Sequence, residues 1–280
     1  MAHDEQEQGG KAGVVNKAPD YPIAAPRSMA VANPLAEYLI RLGDDRLVLG
    51  HRLSEWCGHG PILEEDIAMA NVALDLIGHA SSLLKLAGEM EGQGRTEDAL
   101  AYWRDGTAYR NALLVEQPNG DFAVTMVRQF LFDAHSVLLW DQLSRSTYEP
   151  LAAIASKSLK EDKYHLRHSS EWVVRLGDGT EESHARAQGA LDSLWRFTGE
   201  LFERDGVDEA VAAQGVAVDT EALRALWDTM VDDVLARATL TRPAAPGMRS
   251  GGRRGRHTEF LGHLLATMQS VARAHPGATW

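Results

Sequence analysis

The sequence predicts an all-α fold, an antiparallel helical bundle continued by additional C-terminal helices. Three observations predict it. Apolar residues recur at threes and fours over long stretches, clusters of glycine and proline punctuate their ends, and no run alternates apolar and polar residues between turn signals as a half-buried strand would. With 280 residues, 44% of them hydrophobic, the chain can bury a sizeable core in one domain.

Residues 1–32 carry Gly9, Gly10, Gly13, Pro19, Pro22 and Pro26 without apolar periodicity, so they read as a disordered N-terminal tail, and residues 33–280 as the helical domain. Residues 4–7 are acidic where a secretory signal is basic. Asn33 followed by Pro34 makes a helix start, and Leu35, Leu39, Leu42, Leu49, Leu53 and Trp56 line one face up to the stop at residues 58–61. A second helix is predicted over residues 62–91, ended by Gly92 and Gly94. Its centre, residues 67–77, is apolar nearly all round and is expected to be buried on more than one side. Residues 96–104 lead into an irregular stretch closed by a turn at Gln117, Pro118, Asn119 and Gly120. The third helix spans about 122–144, with Phe122, Met126, Phe130, Val137 and Leu138 on its stripe. The fourth spans about 150–176, with Leu151, Ala155, Ser158, Asp162, His165, Ser169, Trp172 and Leu176 at alternating spacings of four and three. Helices over about 181–204, 220–238 and 258–274 follow. Four long helices with short connections, then further helices, are the ferritin-like form of such a bundle.

Composition excludes several functions. Lys and Arg number 28 against 40 Asp and Glu, a formal charge of −12, whereas sequence-independent nucleic-acid binding needs an excess of cations. A single cysteine, Cys57, excludes an intrachain disulfide and a multi-cysteine metal site and suits a reducing cytoplasm; it reads as a small packed hydrophobe. No stretch approaches the roughly 18 uncharged apolar residues of a spanning helix, so no membrane contact is expected. No phosphate-cradling glycine loop occurs, and no Ser-His-Asp triad follows from the scattered residues.

The informative residues are acids and histidines on stripes that should be apolar, because a buried charge must be paired or metal-bound. Asp162 and His165, three apart on the fourth helix, project into one volume. Asp133 lies three after Phe130 and four before Val137, so it too points inward, and Asp75 and His79 are four apart in the second helix. Two readings compete. In one, these groups hold two iron or manganese ions that activate dioxygen, which makes the chain an independent di-iron oxygenase or oxidase. In the other, they satisfy one another, Arg46, Arg128 or a backbone carbonyl in a polar patch inside the bundle.

Several ordered runs narrow the choice: Leu42-Gly43-Asp44-Asp45, Leu53-Ser54-Glu55-Trp56-Cys57-Gly58-His59, Leu74-Asp75-Leu76-Ile77-Gly78, Val115-Glu116-Gln117-Pro118-Asn119-Gly120, Lys160-Glu161-Asp162-Lys163-Tyr164-His165-Leu166-Arg167 and Leu194-Trp195-Arg196-Phe197-Thr198. Together they resemble the C subunits of the bacterial ring 1,2-phenylacetyl-CoA epoxidases. The resemblance extends through residues 251–259 to Trp280 and leaves out only the tail. It implies a ferritin-like, structural subunit of a cytoplasmic multicomponent monooxygenase of aerobic phenylacetate degradation. The implied partners are a catalytic A subunit that carries the di-iron centre and binds the CoA thioester, small further subunits, and a reductase with NADPH, flavin and iron–sulfur.

In the catalytic relatives the second and fourth helices each carry Glu-x-x-His and the first carries a Glu. By the resemblance, Leu76 stands at the second-helix carboxylate position beside His79, and Leu47 at the first-helix position. Asp133, Asp162 and His165 keep ligand-type residues. A di-iron site uses about four carboxylates and two histidines. With two of them leucine, the cluster is expected to be vestigial, holding no metal and no catalytic residue, unless Asp44 and Asp75 act as substitute acids. Residues 250–257, rich in arginine and glycine, read as a flexible basic segment in an acidic chain. There Arg253, Arg254 and Arg256 are candidates for a partner surface or CoA phosphates, and Trp280 is a candidate interface anchor. Trp56, Trp172 and Trp195 fall at stripe positions and read as core.

Overall fold

Asn33 opens the first helix by local chemistry: its side chain accepts from the backbone N–H groups of Leu35 and Ala36 at 3.1 and 3.2 Å, and Pro34 supplies the pre-set first turn. The computed structural model describes residues 33–216, 218–244 and 247–278; the tail, residues 1–32, and Trp280 lie outside them. Helix α1 is Pro34–Ser54 and α2 is Leu63–Glu91, which ends on Gly92 at φ 65°, a left-handed cap that suits glycine. The short helices α3, Glu97–Tyr102, and α4, Leu113–Glu116, lie in the stretch read as irregular. Asp121 caps α5, Phe122–Leu143, by accepting from Val124 N at 3.0 Å, and α6 is Glu149–Gly177.

Beyond these come α7, Glu181–Leu194, α8, Gly206–Ala212, and α9, Thr220–Arg237. The last two are α10, Glu259–Met268, and α11, Ser270–Ala274. Among the described residues there is no strand. The helix expected over 181–204 breaks at Trp195 into two 3-10 turns, where the Trp195 ring packs on Trp227 with centroids 5.6 Å apart. The last expected helix breaks at Gln269.

Helix α1 packs along α2, α5 along α6, and α2 meets α6, which makes the four-helix bundle. Gly43 and Gly50 let α1 lie close to α2, since a Cβ on Gly43 would stand 2.8 Å from Leu84 Cδ2 and one on Gly50 3.1 Å from the Ala73 carbonyl. The other elements pack against the four helices unevenly: α7 and α9 lie on α5 and less extensively on α6, α4, α8 and α10 lie on α1, and α3 lies on α2.

Several expectations are corrected. The centre of α2 is not buried all round, because Ile67 and Leu74 are 53% and 67% exposed. Apolar character permits burial without compelling it. Cys57 is exposed in the turn after α1. Trp195 is core, but Trp56 and Trp172 are half-buried and clasp the Phe122 ring edge-on from two sides. Helices α2 and α5 are long and apolar enough to cross a membrane by length and composition alone, contrary to the sequence expectation. The apolar window of α5 is 83% buried inside the bundle, as a core helix is, and that of α2 is 44% buried.

Candidate functional site

Four helices place polar side chains in the bundle interior, each one on the inward stripe of its own helix. From α2 comes His79; from α6, Asp162, His165 and Ser169; from α5, Gln129, Asp133 and Ser136; from α1, Arg46. All are at most 3% exposed. The two imidazoles are related by a cross-helix exchange. His79 of α2 donates through Nε2 to Glu161 Oε2 of α6 at 2.6 Å, and His165 of α6 through Nε2 to Asp75 Oδ2 of α2 at 3.0 Å. Each outer carboxylate thereby turns its ring so that Nδ1 faces inward. Both Nδ1 atoms point at Asp162 Oδ1, from 3.7 Å for His79 and 3.3 Å for His165.

The other oxygen of Asp162 accepts from Ser136 Oγ at 2.5 Å, and that hydroxyl accepts from the Arg46 guanidinium at 2.8 Å. Arg46 also lies over the Trp140 ring, 4.2 Å from its centroid. Asp133 stands apart from this chain of contacts, with one oxygen accepting from Gln129 Nε2 at 2.7 Å and the other from Ser169 Oγ at 2.8 Å.

Electrostatics separates the two histidines and the two aspartates. Burial opposes charge on His165, but the carboxylates of Asp162 and Asp75 outweigh it and push the ring up to about 10, so it is a cation at neutral pH. Burial dominates at His79 and lowers it. Burial likewise pushes Asp133 up to about 7, whereas at Asp162 the burial penalty is outweighed by His165, His79 and Arg46, which hold its carboxyl below the usual value. The interior therefore carries a sequence of alternating charge from Arg46 through Asp162 to His165 and out to Asp75. Asp162 Oδ1, both Nδ1 atoms and Arg46 Nε make no aligned hydrogen bond, so the network is held by ionic contact at its centre.

This donor set does not fit a di-iron centre. Asp133 has both oxygens engaged, Asp75 and Glu161 contact the far nitrogens of the imidazoles, and Leu47 and Leu76 are buried in the apolar core. A guanidinium and an imidazolium flank the Asp162 carboxylate, which disfavours a cation there. Among the described residues, no group of three or more His, Cys, Asp or Glu side chains is arranged to hold a metal ion.

Of the substitute acids, Asp75 reaches the cluster and Asp44 does not. Asp44 forms an ion pair with Arg104 and accepts from Arg110 N at 2.8 Å. Arg128 is also elsewhere, bound to the Gln117 carbonyl and to Asn119 Oδ1. Arg46 was legible as a partner because it is a cation on the stripe of α1. Glu161 and Ser136 were not, since Glu161 sits beside its stripe and a lone serine carries no signal. The one cue for Ser136 is its position three after Asp133.

The basic segment is not flexible where it matters. Arg253 forms an ion pair with Asp45 at 2.8 Å and donates to the carbonyls of Arg41 and Arg110 at 3.2 and 2.8 Å. The N–H groups of Gly251 and Gly252 both donate to Glu200 Oε1 at 2.7 Å. Buried acids on the neighbouring elements need donors, and this loop supplies them, so Arg253 is internal; Arg254 and Arg256 remain exposed. Glu116 is satisfied the same way, by Asn111, His257 and both the N–H and hydroxyl of Thr258.

Comparison with known proteins agrees with the bundle and its ordered motifs. The chain is 49% identical over 248 residues to the C subunit of 1,2-phenylacetyl-CoA epoxidase from Escherichia coli (strain K12), a match covering 89% of this chain and 100% of that protein. It is 26% identical over 140 residues to the A subunit of 1,2-phenylacetyl-CoA epoxidase from the same organism, across 50% of this chain and 44% of that protein. Residues 23–280 match the family described as phenylacetic acid catabolic protein. An all-helical, ferritin-like bundle with this motif order and these relatives belongs to the phenylacetic acid catabolic protein family.

Proposed function

We propose that the chain is a non-catalytic, structural subunit of a cytoplasmic multicomponent monooxygenase that epoxidises the ring of phenylacetyl-CoA, and that it pairs with and supports the di-iron A subunit. The observation that carries this reading is the Arg46 guanidinium, joined through Ser136 to Asp162 with the His165 cation on the other side. Side-chain cations balance the Asp162 carboxylate, so this cluster is charge-compensated by its own side chains. In this reading the di-iron centre belongs to the A subunit, NADPH, flavin and iron–sulfur belong to the reductase, and this chain holds no cofactor. A supporting bundle works by rigidity: a catalytic constellation has to be fixed within about 0.5 Å, and a neighbour with a self-satisfied core supplies a stiff wall.

Reconstitution tests it. The A subunit, the small subunits and the reductase should turn over phenylacetyl-CoA only when this chain is added, and the chain purified alone from iron-rich medium should contain negligible iron by elemental analysis. Full turnover without the chain overturns the supporting role. About two irons per chain would instead place it among independent di-iron oxygenases with a modified ligand set.

A further inference from the structure

Where α8 closes over α1 and α5, it leaves a cavity of about 70 Å³ that is also walled by the start of α9 and by the loop after residue 250. Much of the wall is apolar: Leu42 comes from α1, Leu139 from α5, Val211 from α8 and Leu223 from α9. Two buried polar side chains that line it are neutral. Burial raises the Tyr38 hydroxyl, and burial, with Arg46 and Arg253 nearby, pushes the His135 imidazole down to about 3. The buried charges along the wall are engaged. Arg41 grips Asp205 with both terminal nitrogens, at 3.0 and 2.7 Å, Arg253 pairs with Asp45, and Glu200 accepts from the N–H groups of Leu113, Gly251 and Gly252. Free charge lies at the rim instead. Glu203, Arg204 and Arg254 are exposed there and form no ion pair among the described residues. Beside them Asp208 is half-buried, with Oδ2 accepting from Asp205 N at 3.0 Å and from Arg41 at 3.4 Å, while Oδ1 has no donor among the described residues. Burial and the adjoining Asp205 carboxylate raise the Asp208 carboxyl, the sign of an acid short of a cation.

We propose that this cavity binds a free α-amino acid with a small aliphatic side chain, its ammonium group at Asp208, its carboxylate at Arg204 and Arg254, and its side chain among Leu42, Leu139, Val211 and Leu223. A concave apolar wall with a few polar groups at one side is the build of a small-molecule site. The charges select a zwitterion. An anion alone would face Glu203 and Asp208, a cation alone would face Arg204 and Arg254, and a molecule with both charges a bond or two apart meets both signs; guanidinium groups also suit the planar carboxylate. Volume selects the side chain, since an apolar cavity of about 150 Å³ is needed for a benzene ring and the present one is about half that, enough for a branched chain of three or four carbons. Water fills such a space poorly, because the apolar walls offer it few partners. The site lies on the α1–α5 side of the bundle, apart from the histidine cluster, and stands whether or not the chain supports an A subunit.

The test uses the full chain and calorimetric titration with L-valine, L-leucine, L-phenylalanine, valinamide, which lacks the carboxylate, and isovalerate, which lacks the amine. L-Valine or L-leucine should bind with a Kd below about 1 mM and raise the thermal unfolding midpoint, and the other three compounds should bind at least about tenfold more weakly. The paired variant Arg204→Glu with Arg254→Glu, at two exposed positions, should unfold at the wild-type midpoint without ligand and weaken L-valine binding by about tenfold or more. Asp208→Asn, which keeps an acceptor for Asp205 N, should weaken it by a similar factor. If no amino acid binds at about 10 mM, the cavity holds water only and the proposal falls. Binding of isovalerate or valinamide as tight as that of L-valine would show that one charge suffices and overturn the zwitterion assignment, and equal binding of L-phenylalanine would overturn the aliphatic one. L-Valine binding that the arginine pair leaves unchanged would place the ligand elsewhere on the chain and overturn the site.

Discussion

In α1 and α5, 17 of 21 and 17 of 22 residues are buried, whereas in α2 and α6 only 12 of 29 and 8 of 29 are. All four helices contribute to one bundle, and both halves bury acids; they differ in what satisfies those acids. Around α1, the carboxylates of Asp44, Asp45, Glu116 and Glu200 take backbone N–H groups and arginines from later loops, and this fastens the C-terminal elements over the helix. Between α2 and α6 the acids take histidines from the opposite helix, and two of those carboxylates reach the surface. A buried acid can therefore be a clasp for a covering loop or a member of a core that is left open on its outer side.

The comparison breaks most severely at the clasp. Glu116→Ala leaves Asn111, His257 and the Thr258 N–H without their acceptor, and should cost about 3–5 kcal/mol in denaturant unfolding. A loss below about 1 kcal/mol would show that the loops hold their place without it. Next comes a contrast inside α2. Leu76 is fully buried and Leu74 is 67% exposed, so Leu76→Ala should cost about 2–5 kcal/mol and Leu74→Ser less than about 0.5 kcal/mol by the same measurement. Equal losses at the two positions would mean that the outer face of α2 is covered in solution.

The smallest effect is a pH dependence of the polar interior, where α5 meets α6. Burial pushes Asp133 up to about 7 from an ordinary 3.8. A raised carboxyl contributes stability that is fully present below its unfolded value and lost as pH rises through about 7. Asp133→Asn cannot ionise, so between pH 4 and pH 8 the variant should gain about 1–3 kcal/mol relative to wild type. A constant difference across that range would show that Asp133 is ionised throughout. His165, pushed up to about 10, acts in the same direction at higher pH: its stabilisation is present below about 6.5 and lost as pH rises through about 10.

Legibility follows the range of the forces involved. The helix predicted over 122–144 is Phe122–Leu143, and the one over 62–91 is Leu63–Glu91, because capping and apolar period act within a few residues. The break at Trp195 was hidden, since the apolar period runs on through the 3-10 turns and the partner that fixes them, Trp227, is 32 positions away. Of the cluster, Asp133, His79, Asp162 and His165 were legible as polar residues on inward stripes. Glu161 was not, because nothing local distinguishes it from a solvated acid.

By itself the sequence determined the helical class, most helix ends, and the fact that acids and histidines share the bundle interior, all consequences of spacing along a helix of 3.6 residues per turn. Only the tertiary structure decided which acid meets which base, which half of the bundle is covered, and that Arg253 turns inward while Leu74 faces out. Those outcomes depend on the rotation and stagger of one helix against another, and a helix carries its own face in its sequence but not the identity of the surface that face will meet.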